Sequence, residues 1–285
     1  IIASQIDGKT EIEDFGYIDT LGYFNPQLIS QMNMNQINWL NEKYENVSSQ
    51  MDTTIGAGVL IQSFDVYVIY VIYLLVFIVI GTDLFAGEKN KKIDALLSCA
   101  KEYKRITTAK IITMLLLVIS VFILASMINV LVVSLFFDIK NLHLASYGFS
   151  LGNFGYIFIL YSCIEILVRQ MGLVFCSFLC VAGLSVFLSC LTKNRFVSAI
   201  IMIIFVVFPI LMTNGHLWLA IMPLTMLMGH TYFSFSSGVA GYLLPIVDLG
   251  GTIVHTATLV CLFWIIISII LMIGCYVKQR KHIVR

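Results

Sequence analysis

The residues of this chain with the clearest capacity for chemistry lie in one segment, Phe85–Lys110, reading FAGEKNKKIDALLSCAKEYKRITTAK. Seven cations stand there: Lys89, Lys91, Lys92, Lys101, Lys104, Arg105 and Lys110. Among them Ile93, Leu96, Leu97, Ala100 and Tyr103 recur at helical spacing, so the segment reads as an amphipathic helix on a membrane surface. Such a helix can serve as a topology anchor on anionic lipid. It can equally serve as a docking element for a cytoplasmic protein.

The elements that must hold this segment are membrane spans. Hydrophobic residues make up 59% of the 285 and charged residues 12%, whereas soluble domains carry roughly 25% charge. So little charge cannot cover a soluble surface. Apolar runs at about 64–83, 111–136, 172–191, 196–213 and 256–277 each approach the ~20 residues a bilayer needs. The expected fold is an all-α multipass membrane protein with five spans in view. Residues 1–62 form a small polar, helical region ahead of them, acidic in balance, with a helix opening at Asn25-Pro26. In that helix Leu28, Met32, Trp39, Leu40 and Val47 are the candidate buried positions. Gly56-Ala57-Gly58 reads as a hinge or a tight approach.

Basic residues set the orientation. All but Lys9, Lys43, Lys140 and Arg169 fall in the 85–110 loop, at Lys193 and Arg195, or at Lys278, Arg280, Lys281 and Arg285. Five spans put these three clusters on one side, the cytoplasmic one. Residues 1–62 and the segments 138–170 and 214–254 are then outside. A further span ahead of Ile1 is expected, giving six with both ends cytoplasmic. Residues 153–170 read as an outer-surface helix in which Glu165 and Arg169 form an i,i+4 pair. Residues 217–235, interrupted by Pro223, read as an interfacial or re-entrant segment rather than a span.

Three motifs resemble ABC-2 type transporter permeases. The first is the order Phe85-x-x-Glu88, Ile93-Asp94-Ala95-Leu96-Leu97-Ser98 and Lys104-Arg105-x-x-x-Ala109-Lys110-Ile111. Lys92 stands where the family usually has a Gly. The second is the turn Leu188-Ser189-Cys190-Leu191-Thr192-Lys193-Asn194. The third is Pro223 between the last two spans. The resemblance implies a permease domain over 63–285 whose loop 85–110 packs on a separate ATP-binding cassette ATPase subunit. Glu88, Asp94, Leu96, Leu97, Lys101, Tyr103, Lys104, Arg105 and Lys110 would be its coupling residues. It further implies a second permease copy or a paralogue as dimer partner, and a multi-pass place in a bacterial plasma membrane.

The chain itself is expected to catalyse nothing. It has no G-x-x-x-x-G-K-[ST], so ATP and Mg would be held by the partner. H-E-x-x-H and G-x-S-x-G are also missing, and its five His are scattered. No metal, bound cofactor or nucleic-acid partner is expected. The cysteines form no disulfide framework, and Cys176 and Cys180 read as small residues at a helix contact. Ion-coupled transporters place acids or bases within their spans. These spans hold almost none, which suits an external energy source. The competing reading is a non-transporting membrane sensor or scaffold with an extracytoplasmic binding region.

Overall fold

The computed structural model describes residues 32–47, 51–52, 55–64, 67–90, 103–139, 142–143, 145–146, 161–192, 194–211, 219, 221–233 and 246–282. In chain order the helices are α1 (Met34–Val47), α2 (Ile55–Phe64), α3 (Tyr67–Asn90), α4 (Tyr103–Phe136), α5 (Cys163–Leu191), α6 (Arg195–Leu211), α7 (Pro223–Leu227), α8 (His230–Phe233) and α9 (Thr256–His282). Strand β1 (Met51–Asp52) pairs in parallel with β2 (Ala145–Ser146), and β3 (Ile246–Asp248) pairs antiparallel with β4 (Ile253–His255).

Helix α5 is the axis of the bundle, and α3 and α9 are its main neighbours. Its two sides are both buried, through residues such as Val174, Phe178, Val181 and Val186. Tyr70, Leu74 and Phe77 of α3 pack on it, and the Phe77 and Phe178 rings meet edge to face at 5.2 Å. The outer helices are apolar on the side that faces away. On α9, Leu262, Ile266, Ile269 and Ile273 form an exposed stripe, and α4 exposes Leu116, Ile123, Met127 and Leu131. In water that much contiguous apolar surface would drive association, whereas in a bilayer lipid tails cover it. The chain is a helical multipass membrane protein. Among the described residues four helical stretches are long and apolar enough to span: Gly56–Lys89, Arg105–Phe136, Cys163–Leu191 and Thr256–Gln279.

Several expected boundaries shift. The apolar run at 196–213 becomes α6, a shorter helix of 17 residues. The span placed at 172–191 begins at Cys163, so residues 163–170 belong to it and are not a separate surface helix. The cause is a capping box. The Ser162 hydroxyl accepts from the Glu165 N–H, while the Glu165 carboxylate accepts from the Ser162 N–H at 3.1 Å. That starts the helix at Cys163, and no proline follows to stop it before Leu191. Glu165 is thereby turned back to the cap, and the expected pair with Arg169 does not form. The stretch 55–62, assigned to the polar region, instead supplies the apolar helix α2, with Ala57, Leu60 and Ile61 buried. Gly56 is a tight approach, because a Cβ there would overlap the Asp138 carbonyl oxygen. The spans expected at 64–83 and 111–136 lengthen at the loop side, to Asn90 and back to Tyr103. Both ends of the 85–110 loop are therefore helix.

Residues 217–235 contain two short helices among their described part, neither able to span. Met222 is the N-cap and Pro223 the first residue of α7, where its missing N–H costs nothing. The segment is held inward by two bonds: Ser177 Oγ donates to Pro223 O at 2.9 Å, and Trp264 Nε1 donates to Ile221 O at 2.6 Å. Against the expectation of no disulfide, Cys190 is bonded to Cys275, joining the end of α5 to the late turns of α9. Cys176 and Cys180 are buried at helix contacts, and Cys176 Sγ lies 3.7 Å from Cys261 O.

Helix α1 starts with a capping box of its own: Gln36 N donates to Asn33 Oδ1 and Asn33 N donates to Gln36 Oε1, each at 2.9 Å. It docks on the β3–β4 hairpin, where Gln36 Nε2 donates to Ile246 O and Asn33 and Asn35 donate to the Asp248 carboxylate. Of its expected apolar positions, Leu40 is buried and Met32 and Trp39 pack beside the core. Leu28 lies outside the described residues. The hairpin turns at Gly250 (φ 67°) and Gly251 (φ 99°). Two consecutive positive φ values make the turn type I′, for which glycine has no steric penalty.

Candidate functional site at the base of the basic loop

The loop leaves α3 and re-enters α4, so its effect on the bundle depends on how those two helix ends are held. Glu88, in the last turn of α3, forms an ion pair with Lys110 of α4. The two side chains retain only 24% and 19% exposure, so the pair is screened less than a surface one. Lys110 Nζ also donates to Leu84 O at 3.0 Å and lies 4.9 Å over the Phe85 ring. One ammonium thus satisfies a carboxylate, a carbonyl and an aromatic face, and closes the loop at its root.

The hairpin between α5 and α6 is fastened to the same place. Lys89 Nζ donates to Cys190 O at 2.8 Å and Thr192 O at 3.2 Å. These are carbonyls at the C-terminus of α5, where a cation complements both the orphan acceptors and the helix dipole. Arg195 Nη1 reaches Asp83 Oδ1 at 3.3 Å, an exposed pair of small energetic weight. Within the hairpin Thr192 Oγ1 donates to Leu188 O and is hydrogen-bonded to Ser198 Oγ. Asn194 Oδ1 accepts from Phe196 N at 2.9 Å, capping α6.

Below these charges is a seam of small residues. The Ser189 hydroxyl accepts from the N–H groups of Phe85 (3.0 Å) and Ala86 (2.9 Å) and donates to Thr82 O at 2.8 Å. A side chain of α5 therefore enters the backbone ladder of α3. Ser185 Oγ donates to Ala182 O at 2.9 Å and to Phe77 O at 3.3 Å. Gly81 makes this approach possible, since a Cβ there would overlap Ser185 Oγ. The loop root and the α3–α5 seam are thus mechanically continuous, with the hydroxyls replacing water as partners for buried backbone groups.

Of the nine residues singled out in the sequence, the structure brings Glu88 and Lys110 together. Tyr103 and Lys104 lie in the first turn of α4, and Arg105 follows them with its side chain exposed. Asp94, Leu96, Leu97 and Lys101 lie outside the described residues, as does most of the amphipathic face. Four residues that sequence reasoning did not assign to the site belong to it: Asp83, Lys89, Ser189 and Arg195. Ser189 was within reach, since it stands in the Leu188–Asn194 turn already quoted. Its insertion into α3 depends on a helix remote in sequence. Among the described residues no group of His, Cys, Asp and Glu is arranged to hold a metal.

Compared with protein-family models, with curated proteins and with solved structures, the chain matches none.

Proposed function

We propose that the chain is the membrane-spanning permease subunit of an ABC-2 type exporter, moving a substrate with ATP hydrolysed by a separate ATPase subunit. The observation that carries this reading is the closed root of the basic loop. The Glu88–Lys110 pair, the Lys89 bonds to the α5 terminus and the Ser189 insertion tie one loop to α3, α4, α5 and α6 together. A push on the loop from a docked protein would reach all four helices through short contacts, buried at Ser189 and half-buried at Lys89 and the Glu88–Lys110 pair. A mere lipid anchor has no need of such a root. On this reading residues 85–110 face the cytoplasm of a bacterial cell, and α1 with the β3–β4 hairpin faces outward. A second permease copy or a paralogue completes the pathway, and ATP and Mg are bound by the partner.

The test is co-purification of a P-loop ATPase, encoded beside this chain, through an affinity tag on the chain, together with its ATPase rate in proteoliposomes. Leu97→Glu and Arg105→Glu are expected to lose the ATPase. Glu88→Gln is expected to retain it while cutting stimulated turnover at least tenfold. Retention of the ATPase by both loop variants, with unchanged turnover, would sink the docking role.

A further inference from the structure

At the end of the bundle away from Glu88 and Lys110, a cluster of donors lacks acceptors among the described residues. Arg169 lies in the second turn of α5, with its guanidinium 4.9 Å over the Tyr161 ring. That ring takes one face of the cation, yet the buried Nη1 has no hydrogen-bond acceptor. The carboxylate one turn earlier, Glu165, is committed to the Ser162 cap. Tyr161 also meets His255, at 5.3 Å and edge to face, and His255 is only 6% exposed. Its Nδ1 accepts from Ala257 N at 3.1 Å, at the start of α9. The neutral ring must then carry its proton on Nε2, and Nε2 is buried with no partner. Gln170, next along α5 and 2% exposed, also has an unpartnered Nε2.

The Nη1 of the half-buried Arg169 and the Nε2–H of the buried His255 are donors left without acceptors, and each such group costs free energy. All the unmet groups named here are donors. The one formal charge among them is positive, because His255 is neutral. What they lack is therefore an oxyanion carrying a single negative charge. Depth narrows the source. A 29-residue helix is roughly 43 Å long, more than the ~30 Å of hydrocarbon it must cross. The second turn of α5 then falls near headgroup level.

We propose that Arg169 and His255 form a binding site for a phosphate monoanion, the phosphodiester of a phospholipid headgroup. The site would be held by charge-assisted bonds from the guanidinium and one bond from the imidazole Nε2–H. It stands independently of the ATPase reading, since none of its residues belongs to the loop root.

The experiment titrates the purified chain in nonionic detergent with dioctanoyl phosphatidylglycerol, dioctanoylglycerol or inorganic phosphate. Native mass spectrometry counts bound molecules and intrinsic fluorescence gives the affinity, as Trp39 lies 6.1 Å from Tyr161. The expected result is one saturable phosphatidylglycerol and no dioctanoylglycerol. Arg169→Gln should weaken binding at least tenfold, and Arg169→Lys less. Should Arg169→Gln fail to fold, His255→Asn serves, since its side-chain oxygen can keep the cap while the Nε2 donor is lost. It should weaken binding several-fold. Binding of inorganic phosphate in competition with the lipid would keep the site and overturn the headgroup as its occupant. Wild-type affinity in the variants that fold, or no binding of either phosphate compound, would overturn the site.

Discussion

The two ends of this bundle treat charge in opposite ways. At the loop end Glu88, Lys110, Lys89, Asp83 and Arg195 are matched with one another or with helix-terminal carbonyls. At the far end Arg169 has the aromatic face of Tyr161 but no anion among the described residues, and His255, buried and neutral, meets the same ring. A closed set of pairs suits a part that transmits movement as a unit. An open set of donors suits a part that receives something. The α3–α5–α9 packing runs between the two ends, so the contrast comes from residues in the end turns of the helices and just beyond them.

The largest effect is expected at the far end, from pH. Burial, and secondarily Arg169, push the His255 imidazole down to about 3 from its usual 6.5. A depressed value means the folded state resists protonation. The stabilisation is complete above about pH 6.5 and is lost as pH falls toward 3, by as much as about 4 kcal/mol. Thermal unfolding in detergent should show this decline, and His255→Asn should flatten it. A slope unaffected by His255→Asn would mean that the far end is not held open by a neutral imidazole.

Next in size is Gly81→Leu in the seam. Its side chain must displace Ser185, at a cost on the order of 3 kcal/mol. Loss of monodisperse protein on gel filtration, or a much lower unfolding temperature, would register it. Ser189→Ala should cost about 2 kcal/mol, because the amides of Phe85 and Ala86 and the carbonyl of Thr82 lose a buried partner. On the proposed function it should also uncouple ATPase stimulation from transport in proteoliposomes. The smallest effect is the Glu88–Lys110 pair itself. A double-mutant cycle with Glu88→Gln and Lys110→Met should give a coupling energy of about 1 kcal/mol. A coupling near zero would make the loop root no more closed than the far end, and the contrast between them would fail.

Much of the architecture was legible from local pattern. Four of the five expected spans and the interruption at Pro223 follow from hydropathy, length and proline position, whereas the polar helix expected from Asn25-Pro26 is described from Met34, behind the Asn33–Gln36 capping box. Glu88 and Lys110 were marked by the resemblance of the loop's motifs to a known family. The boundary at Cys163 has a local signal too, the capping box Ser162-x-x-Glu165, which competes with an i,i+4 partner at Arg169 for the Glu165 carboxylate. The Gly250-Gly251 hairpin likewise had its usual turn signature. The Cys190–Cys275 bond was beyond reach, because its partners are 85 residues apart on different helices.

By itself the sequence determined that this chain lies in a membrane, which segments are apolar enough to span it, and where its cations gather. Those are properties of composition and of neighbours within a few turns, where hydrophobic length and helix period act locally. Only the tertiary structure decided which charges are satisfied. Ser189 enters α3, Lys110 answers Glu88, and His255 meets Tyr161, because packing around α5 brings together residues far apart along the chain. Pairing depends on distances of a few ångströms, and those are set by how the helices cross.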